Sequence, residues 1–443
     1  MGEADDSKKQ HVIFGSAGMA AAGMMPGAKA RSRVNEPKEE LPKDDVTEGP
    51  DEVEEVEVTE EDAGEISEES IPAEFDGLKA AIVGFTGSGG FGNGMELLFQ
   101  RLDKVRLFGL ADLNGESLEA SRVHAGSPKG YSDLGAMLQE ESPDLVSVAA
   151  LSTEHRLEQI KTALQSGSHV ITEAPLAQTL KEADELLGLS KSSERQIAVR
   201  HPMRVDPHLN RFHAEMTSLI GELLEMRVWG ACDETSGGED MLLVGIPLFD
   251  LVRWFAGEVS FCTASISEQG VAVIAEDAHE SATPHLGRLL GDSIHAEFEM
   301  ESGVRVSFVS DQKRQPILGP AGIEFIGSKS KMRLFAGAPA TLSLLTDPNP
   351  AEASRTEVWE QWPADQSEYH VSVDQLDGRD AAHRLLVHDW ISAIESGGEP
   401  SASAETALKA LEMAHGVWQA GVTMKRAYFP LANRLHPLSE ESQ

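Results

Sequence analysis

The chain has 443 residues, 40% of them apolar, and a formal net charge of −37. That length allows two folded domains with substantial cores, and the charge argues against nucleic acid or an anionic membrane surface as partner. Cys232 and Cys262, the only cysteines, make neither a disulfide framework nor a zinc-ligand spacing, and the absence of a long uninterrupted apolar run argues against a membrane span.

Residues 1–70 hold 20 acids against 7 bases. Within them, residues 1–33 read as a degenerate export signal: Lys8 and Lys9 precede a Gly/Ala/Met-rich run that ends in small residues. The pattern is close to a twin-arginine signal, but lysines stand where arginines belong, and Glu3, Asp5 and Asp6 oppose the positive region. A cytoplasmic location is therefore favoured, with export as the alternative. Residues 34–70 carry 17 acids and few large apolar groups. Such a segment does not bury enough surface to offset its ordering entropy, so it is expected to be a disordered acidic linker.

From residue 78 onward strands and helices alternate. A strand over 79–85 runs into Gly87, Gly89 and Gly92, spaced G-x-G-x-x-G, and a helix from about 92 to 102. The first glycine permits a tight turn, the second lets backbone approach a pyrophosphate, and the third lets helix pack on strand. The phosphates would sit at a helix N-terminus, whose free N–H groups and dipole favour negative charge. A second strand, 105–111, leads to Asp112, placed to accept both hydroxyls of an adenosine ribose. A purely structural glycine turn is the alternative reading. Further strands are expected at 144–151, 169–173 and 196–200. Helices are expected at 115–124, 132–140, from Ser152 or Thr153 to Gly167, and 179–192. The alternation predicts a parallel sheet covered on both faces.

After about residue 205 the rhythm changes. A helix at 206–219 precedes long alternating strands, among them VSFCTASISE, SIHAEFEM, VRVSFVSD, GIEFIGS and KMRLFAG, with a hairpin at Gly303. These predict a mostly antiparallel sheet with a partly apolar second face that invites a partner, and hence a homo-oligomer. Two helices, about 380–396 and 404–424, close the chain.

The succession AIVGFTGSGGFG, LADLNGESLEA, STEHRLEQIKTALQSGSHVITEAP, VRHPMRVDP, GGEDMLLVGIPLFDLVRWFAG and HDWISAIESGGEP, in this order, resembles the Gfo/Idh/MocA family (glucose–fructose oxidoreductase, inositol dehydrogenase and relatives) from about Leu78 to Leu438. The resemblance implies an α/β fold. A Rossmann-type, doubly wound parallel sheet at 71–204 would be followed, at 205–443, by an α+β domain with a large open, mostly antiparallel sheet for substrate and oligomerisation. It also implies NAD as cofactor, with NADP disfavoured by Asp112, and a carbohydrate-related small molecule as ligand. Cofactor contacts would come from Gly87, Gly89, Gly92, Asp112, His155 and Glu173.

The resemblance further implies a lysine, an aspartate and a histidine around the reacting carbon, because oxidising an alcohol needs a base for the hydroxyl proton and a cation for developing alkoxide charge. Those positions hold Ala174, Leu243 and Pro247. None of the three exchanges a proton or carries charge, and Pro247 disfavours helix at Ile246. The expectation is a family member that binds NAD with impaired or lost dehydrogenase catalysis. The alternatives are an oxidoreductase using His155 with Asp233 or Asp240 instead, and an NAD-assisted glycosidase. His201, Glu234 and Glu239 lie on segments that border the implied pocket; Arg204 matches a family arginine and otherwise reads as a structural salt bridge; Arg253 and Trp254 read as packing and surface. No other catalytic motif and no metal-ligand spacing is present.

Overall fold

The computed structural model describes residues 75–84, 94–100, 102–112, 118–126, 129–149, 153–281, 283, 286–314, 318–337, 339–346, 357–365 and 378–439. The chain divides into Met1–Phe75 and Asp76–Gln443, and the two sheets belong to the second unit. The export-signal and acidic-linker readings, and Gly87, Gly89 and Gly92, lie outside the described residues.

The first sheet contains β1 (Leu78–Gly84), β2 (Val105–Asp112), β3 (Lys129–Tyr131), β4 (Leu145–Val148), β5 (His169–Thr172) and β6 (Ile197–Val199). All pairs are parallel, in the order β3-β2-β1-β4-β5-β6. Ala80 to Val83 are fully buried, which explains a continuous apolar run where a one-sided strand would alternate. Helices α1 (Met95–Gln100), α2 (Leu118–Ala125), α3 (Leu134–Glu141), α4 (Thr153–Gln165) and α5 (Leu180–Ser193) connect the strands. The start of α5 is fixed by a capping box between Thr179 and Glu182. The order reverses between β1 and β4, and ligands of such sheets lie outside the carboxyl ends of the strands at that point.

A 3₁₀ turn, Pro202–Val205, leads into α6 (Pro207–Ile220). Asp206 caps α6 by accepting from the His208 and Leu209 amides, and Pro207 fills the first position, where no N–H is needed. Then follow β7 (Leu223–Trp229), the single turn α7 (Gly238–Asp240), a π-helical turn Met241–Gly245, and α8 (Ile246–Ala256). The second sheet is built from β7, β8 (Val259–Glu268), β9 (Val271–Ala272), β12 (Ser293–Met300), β13 (Arg305–Asp311), β14 (Gly322–Gly327), β15 (Lys331–Phe335), β16 (Thr341–Leu345), β17 (Trp359–Trp362) and β18 (Ala427–Tyr428). Its order is β17-β16-β15-β14-β7-β13-β12-β8-β18, with β9 on β8, and only β7–β13 is parallel. Strands β10 (His279–Glu280) and β11 (Arg288–Leu289) form a separate pair. The β12–β13 connection turns at Gly303, whose φ is 85°.

Alternation along β12 buries Ile294, Ala296, Phe298 and Met300 and exposes His295, Glu297 and Glu299. The buried face packs on α8, where the Phe249 ring centroid lies 5.5 Å from that of Phe298 and 4.9 Å from that of Phe308. The other face mixes polar and apolar side chains. A groove of about 530 Å³ there is lined mainly by Arg227, Thr263, Ser265, His295, Glu297 and Ser307. Most polar members of the period-2 pattern point to this side, Ser310 of β13 being an exception, and apolar residues such as Trp229 and Val309 stand among them.

Helices α9 (Gly378–Ser396) and α10 (Ala404–Thr423) tie the two sheets together. Leu386, Val387 and Trp390 of α9 join the core under β1. Trp418 of α10 is buried in the core of the second sheet, while Ala404 and Leu408 pack on the first.

Candidate functional site

The carboxyl ends of the parallel strands gather the predicted cofactor residues that are described. Gly84 and Asp112 are register partners at the ends of β1 and β2, so Asp112 flanks the entry to the glycine-rich segment. The Asp112 carboxylate is wholly buried and accepts from Ser121 Oγ at 3.3 Å.

Beyond β5 the chain turns through Glu173, Ala174 and Pro175. Glu173 is buried and ion-paired with Arg200, which follows β6. Arg200 Nη2 also lies 2.9 Å from His383 Nε2 on α9. The side chain that reaches this turn from α4 is Arg156. It donates from Nη1 to the carbonyl oxygens of Glu173, at 3.1 Å, and of Pro175. Arg156 is 2% exposed; burial lowers its pKa to about 10, against the opposing attraction of Glu173. It remains charged near neutrality. His155, one residue earlier, is exposed in the first turn of α4. The sequence reading therefore missed Arg156. Its signal was a charged residue in the buried stripe that continues through Ile160, Ala163 and Leu164.

In the second domain, the segment 230–240 is held by Asp240. Its carboxylate accepts from the Ala231 amide at 2.9 Å, the Cys232 amide at 3.4 Å and Ser310 Oγ at 2.5 Å. The Gly237 amide donates to that same Ser310 oxygen at 2.8 Å. Gly237 has a φ of 95°, and a Cβ there would meet the Gly291 carbonyl. Burial raises the Asp240 pKa, opposed by the bond from Ser310. Asp240 is thus the interior brace of the loop. Asp233 caps its own turn through the Thr235 amide and hydroxyl at 2.8 and 2.7 Å. Glu239 accepts from Thr283 Oγ1 at 2.5 Å. Among the described residues no hydrogen bond or ion pair joins His155 to Asp240 or Asp233.

Leu243 and Pro247 lie one turn apart on the outward side of the segment that follows. Leu243 is 44% exposed and Pro247 half-buried, while Met241, Leu242, Ile246 and Leu248 are buried. The Ile246 amide bonds back to the Met241 carbonyl, five residues earlier. Pro247 offers no N–H and its ring would strike the carbonyl four residues back in a regular helix; the wider π turn accommodates it. The expected interruption at Pro247 therefore takes this form.

Asp250, on the inward side of α8, anchors the helix to the end of the first sheet. His201 Nδ1 and Arg204 Nε stand 3.4 and 3.5 Å from Asp250 Oδ2. Arg204 donates to the Ser401 carbonyl at 3.1 Å and lies 4.6 Å over the Trp254 ring. Burial lowers the Arg204 pKa, opposed by the nearby Asp250. Arg253 pairs with Glu258. No metal-binding cluster of His, Cys, Asp or Glu is present among the described residues, and no helix among them is long and apolar enough to cross a membrane.

Comparison with known proteins agrees with this architecture. Residues 78–201 match the family model described as "Oxidoreductase family, NAD-binding Rossmann fold", and residues 203–425 match "Oxidoreductase family, C-terminal alpha/beta domain". No curated protein matches the chain. Among solved structures, it is similar to an oxidoreductase from Agrobacterium radiobacter in complex with NAD+, L-tartaric acid and magnesium, with a TM-score of 0.60 and 15% identity over 79% of this chain and 98% of that one. It is also similar to the WlbA dehydrogenase from Bordetella pertussis in complex with NADH and UDP-GlcNAcA, with a TM-score of 0.59 and 17% identity over 80% and 99%. A levoglucosan dehydrogenase in complex with NADH and levoglucosan gives a TM-score of 0.61 and 17% identity over 80% and 99%. At these identities the solved structures establish the fold, and the two consecutive family-model matches establish the lineage: the chain belongs to the Gfo/Idh/MocA oxidoreductase family, with an NAD-binding Rossmann domain followed by the family's C-terminal α/β domain.

Proposed function

We propose that this protein binds NAD and a carbohydrate-related small molecule but has impaired or lost the sugar or cyclitol dehydrogenase reaction of its family. The observation that carries the reading is the outward placement of Leu243 and Pro247, together with the half-buried Ala174 in the turn after β5. Where the family resemblance implies a lysine, an aspartate and a histidine, this chain presents three side chains with no proton to exchange. Charged groups close to these positions are engaged elsewhere: Asp240 braces its loop, Glu173 pairs with Arg200, and Arg156 holds the carbonyls of Glu173 and Pro175.

The fit to NAD rests on Asp112. A buried carboxylate at the end of β2, beside Gly84, suits ribose hydroxyls and repels a 2′-phosphate. Gly87, Gly89 and Gly92 would hold the pyrophosphate. Bound NAD supplies a hydride acceptor. Of the chain's own groups, Asp112 would orient the adenosine end, and Leu243 and Pro247 would give the ligand an apolar wall that excludes water. His155, exposed at the start of α4, is the remaining candidate for proton transfer in the competing active-enzyme reading. We also propose a homo-oligomer, supported by the broad exposed face of the second sheet. Calorimetry with NAD, together with NAD-reduction assays on sugars, cyclitols and sugar acids, tests the central reading. Binding without reduction is the expected result.

A further inference from the structure

Residues 429–438 hold a strap over a buried histidine. The Phe429 ring seats directly on Gly416 of α10, where a Cβ would strike it. The Leu431 amide then donates to Glu412 Oε1 on α10 at 2.9 Å. Arg434 donates to that same oxygen at 2.6 Å and to both oxygens of Asp184 on α5 at 2.7 Å. The Arg434 carbonyl accepts from the Lys181 amide at 2.8 Å. Residues 431–438 thus tie a helix of the first domain to a helix of the second. Leu438 is fully buried in the core of the second sheet, and its amide donates to His436 Nδ1 at 3.2 Å. Beneath the strap, His415 is 1% exposed, and among the described residues neither of its ring nitrogens makes a hydrogen bond. The half-buried His436 ring packs on it at 5.1 Å between centroids, and on Trp418 at 5.3 Å. Arg434 acts on His415, and Arg288 of β11 acts on His436, both opposing a second proton. Glu412, one turn before His415, is shared between Arg434 and the Leu431 amide. Of the groups acting on His415, the Gln178 backbone alone favours a second proton, and it lies near without closing a bond. An imidazolium at 415 would therefore be a buried charge without a counterion, a state relieved by admitting water. A second proton on His436 would also remove the lone pair that accepts from Leu438.

We propose that residues 431–438 form an acid-released clasp between the two domains, with His415 as its trigger: a second proton on the buried imidazole lifts the strap and exposes the ring to water. Phe429 and β18 stay in place, so the strap opens beyond them while both sheets remain folded. Acid favours opening because the open state binds the extra proton. When the strap is closed, burial, with His436 adding to it, holds His415 well below its ordinary range, so the ring is neutral near pH 7. Once open, it takes up its proton near the ordinary value of about 6.5. Opening therefore becomes about tenfold more favourable between about pH 7.5 and about pH 5.5 for each histidine so exposed. His436 adds to the response through the Leu438 amide.

Hydrogen exchange of the full chain, followed by mass spectrometry at about pH 7.5 and about pH 5.5 and corrected for the intrinsic rate, reads the opening of each segment. Peptides spanning 431–438 should open at least about tenfold more at the lower pH, while β12 stays protected. His415→Phe keeps a buried ring that does not titrate, and should cut that rise about tenfold. His415→Gln serves if the phenylalanine variant does not fold. No rise in the native chain would overturn the proposal. A rise that persists undiminished in the folded variant would place the acid response on Asp184 and Glu412, the carboxylates that hold Arg434, and would also overturn it. Exchange of β12 in step with the strap, the mark of global unfolding, would overturn the local clasp.

Discussion

Ser310 Oγ donates to Asp240 Oδ2 at 2.5 Å, and the carboxylate that receives this bond has no exposure to solvent. One buried acid thereby gathers a strand hydroxyl and two loop amides into a single network. Asp240→Ala would strand these donors in the interior, at a cost of about 3 kcal/mol. Asp240→Asn, which keeps one acceptor, should cost less. Thermal melts should therefore shift strongly for the alanine variant. NAD affinity of the folded asparagine variant should stay near that of the native chain; a stable Asp240→Ala protein would refute the bracing role.

Asp112 gives a second prediction. Calorimetry with the native chain should show NAD bound in preference to NADP. Asp112→Ser should weaken NAD and narrow the gap, because it removes both the ribose acceptor and the charge that repels a 2′-phosphate. Equal or tighter NADP binding by the native chain would overturn this assignment.

Acid should destabilise the fold through its histidines. Burial lowers His169 to about 4, with help from Arg195, and lowers His436 to about 4, with help from Arg288. Burial holds His415 well below its ordinary range, with His436 adding to the effect, and burial also lowers His388. A histidine whose folded pKa is depressed binds its proton more readily when unfolded. Stability is thus complete above the unfolded value of about 6.5 and declines as pH falls from there towards 4. Asp206 and Asp240, raised by burial, act in the opposite sense. Melting temperature should be flat from about pH 8 to 7 and fall steadily below 6.5, and His415→Phe should flatten part of that slope. A melting temperature that rises on acidification would contradict the assignment.

Much of this was legible in the sequence, for identifiable reasons. The run Ala80 to Val83 and the alternation of β12 report directly how many faces a strand buries. Asp206-Pro207 and Thr179 with Glu182 announce helix starts by local chemistry. Short strands such as β3 and β17 escaped notice because pairing with a neighbour, rather than intrinsic pattern, defines them. At the site, Asp240 looked like an acid near a pocket; its burial is decided by Ser310, 70 residues away. Arg156 was passed over for His155 because the choice between adjacent residues depends on helix phase. The phase was written in the stripe that Arg156 shares with Ile160 and Leu164, yet a charge in a buried stripe acquires meaning only once its partners at 173 and 175 are known.

The central claim is that the cofactor is held while the ordinary chemistry is absent. Its most direct test is NAD reduction by the full chain, with NAD occupancy verified by calorimetry, across sugars, cyclitols and sugar acids. Loss of general acid–base help alone costs about 10²–10⁴ in rate, and loss of alkoxide stabilisation adds to it. The account predicts saturable NAD binding with reduction at or near background for every compound. Robust turnover that His155→Ala abolishes, in a variant that still binds NAD, would contradict it and install His155 as the proton-transfer group of a working oxidoreductase.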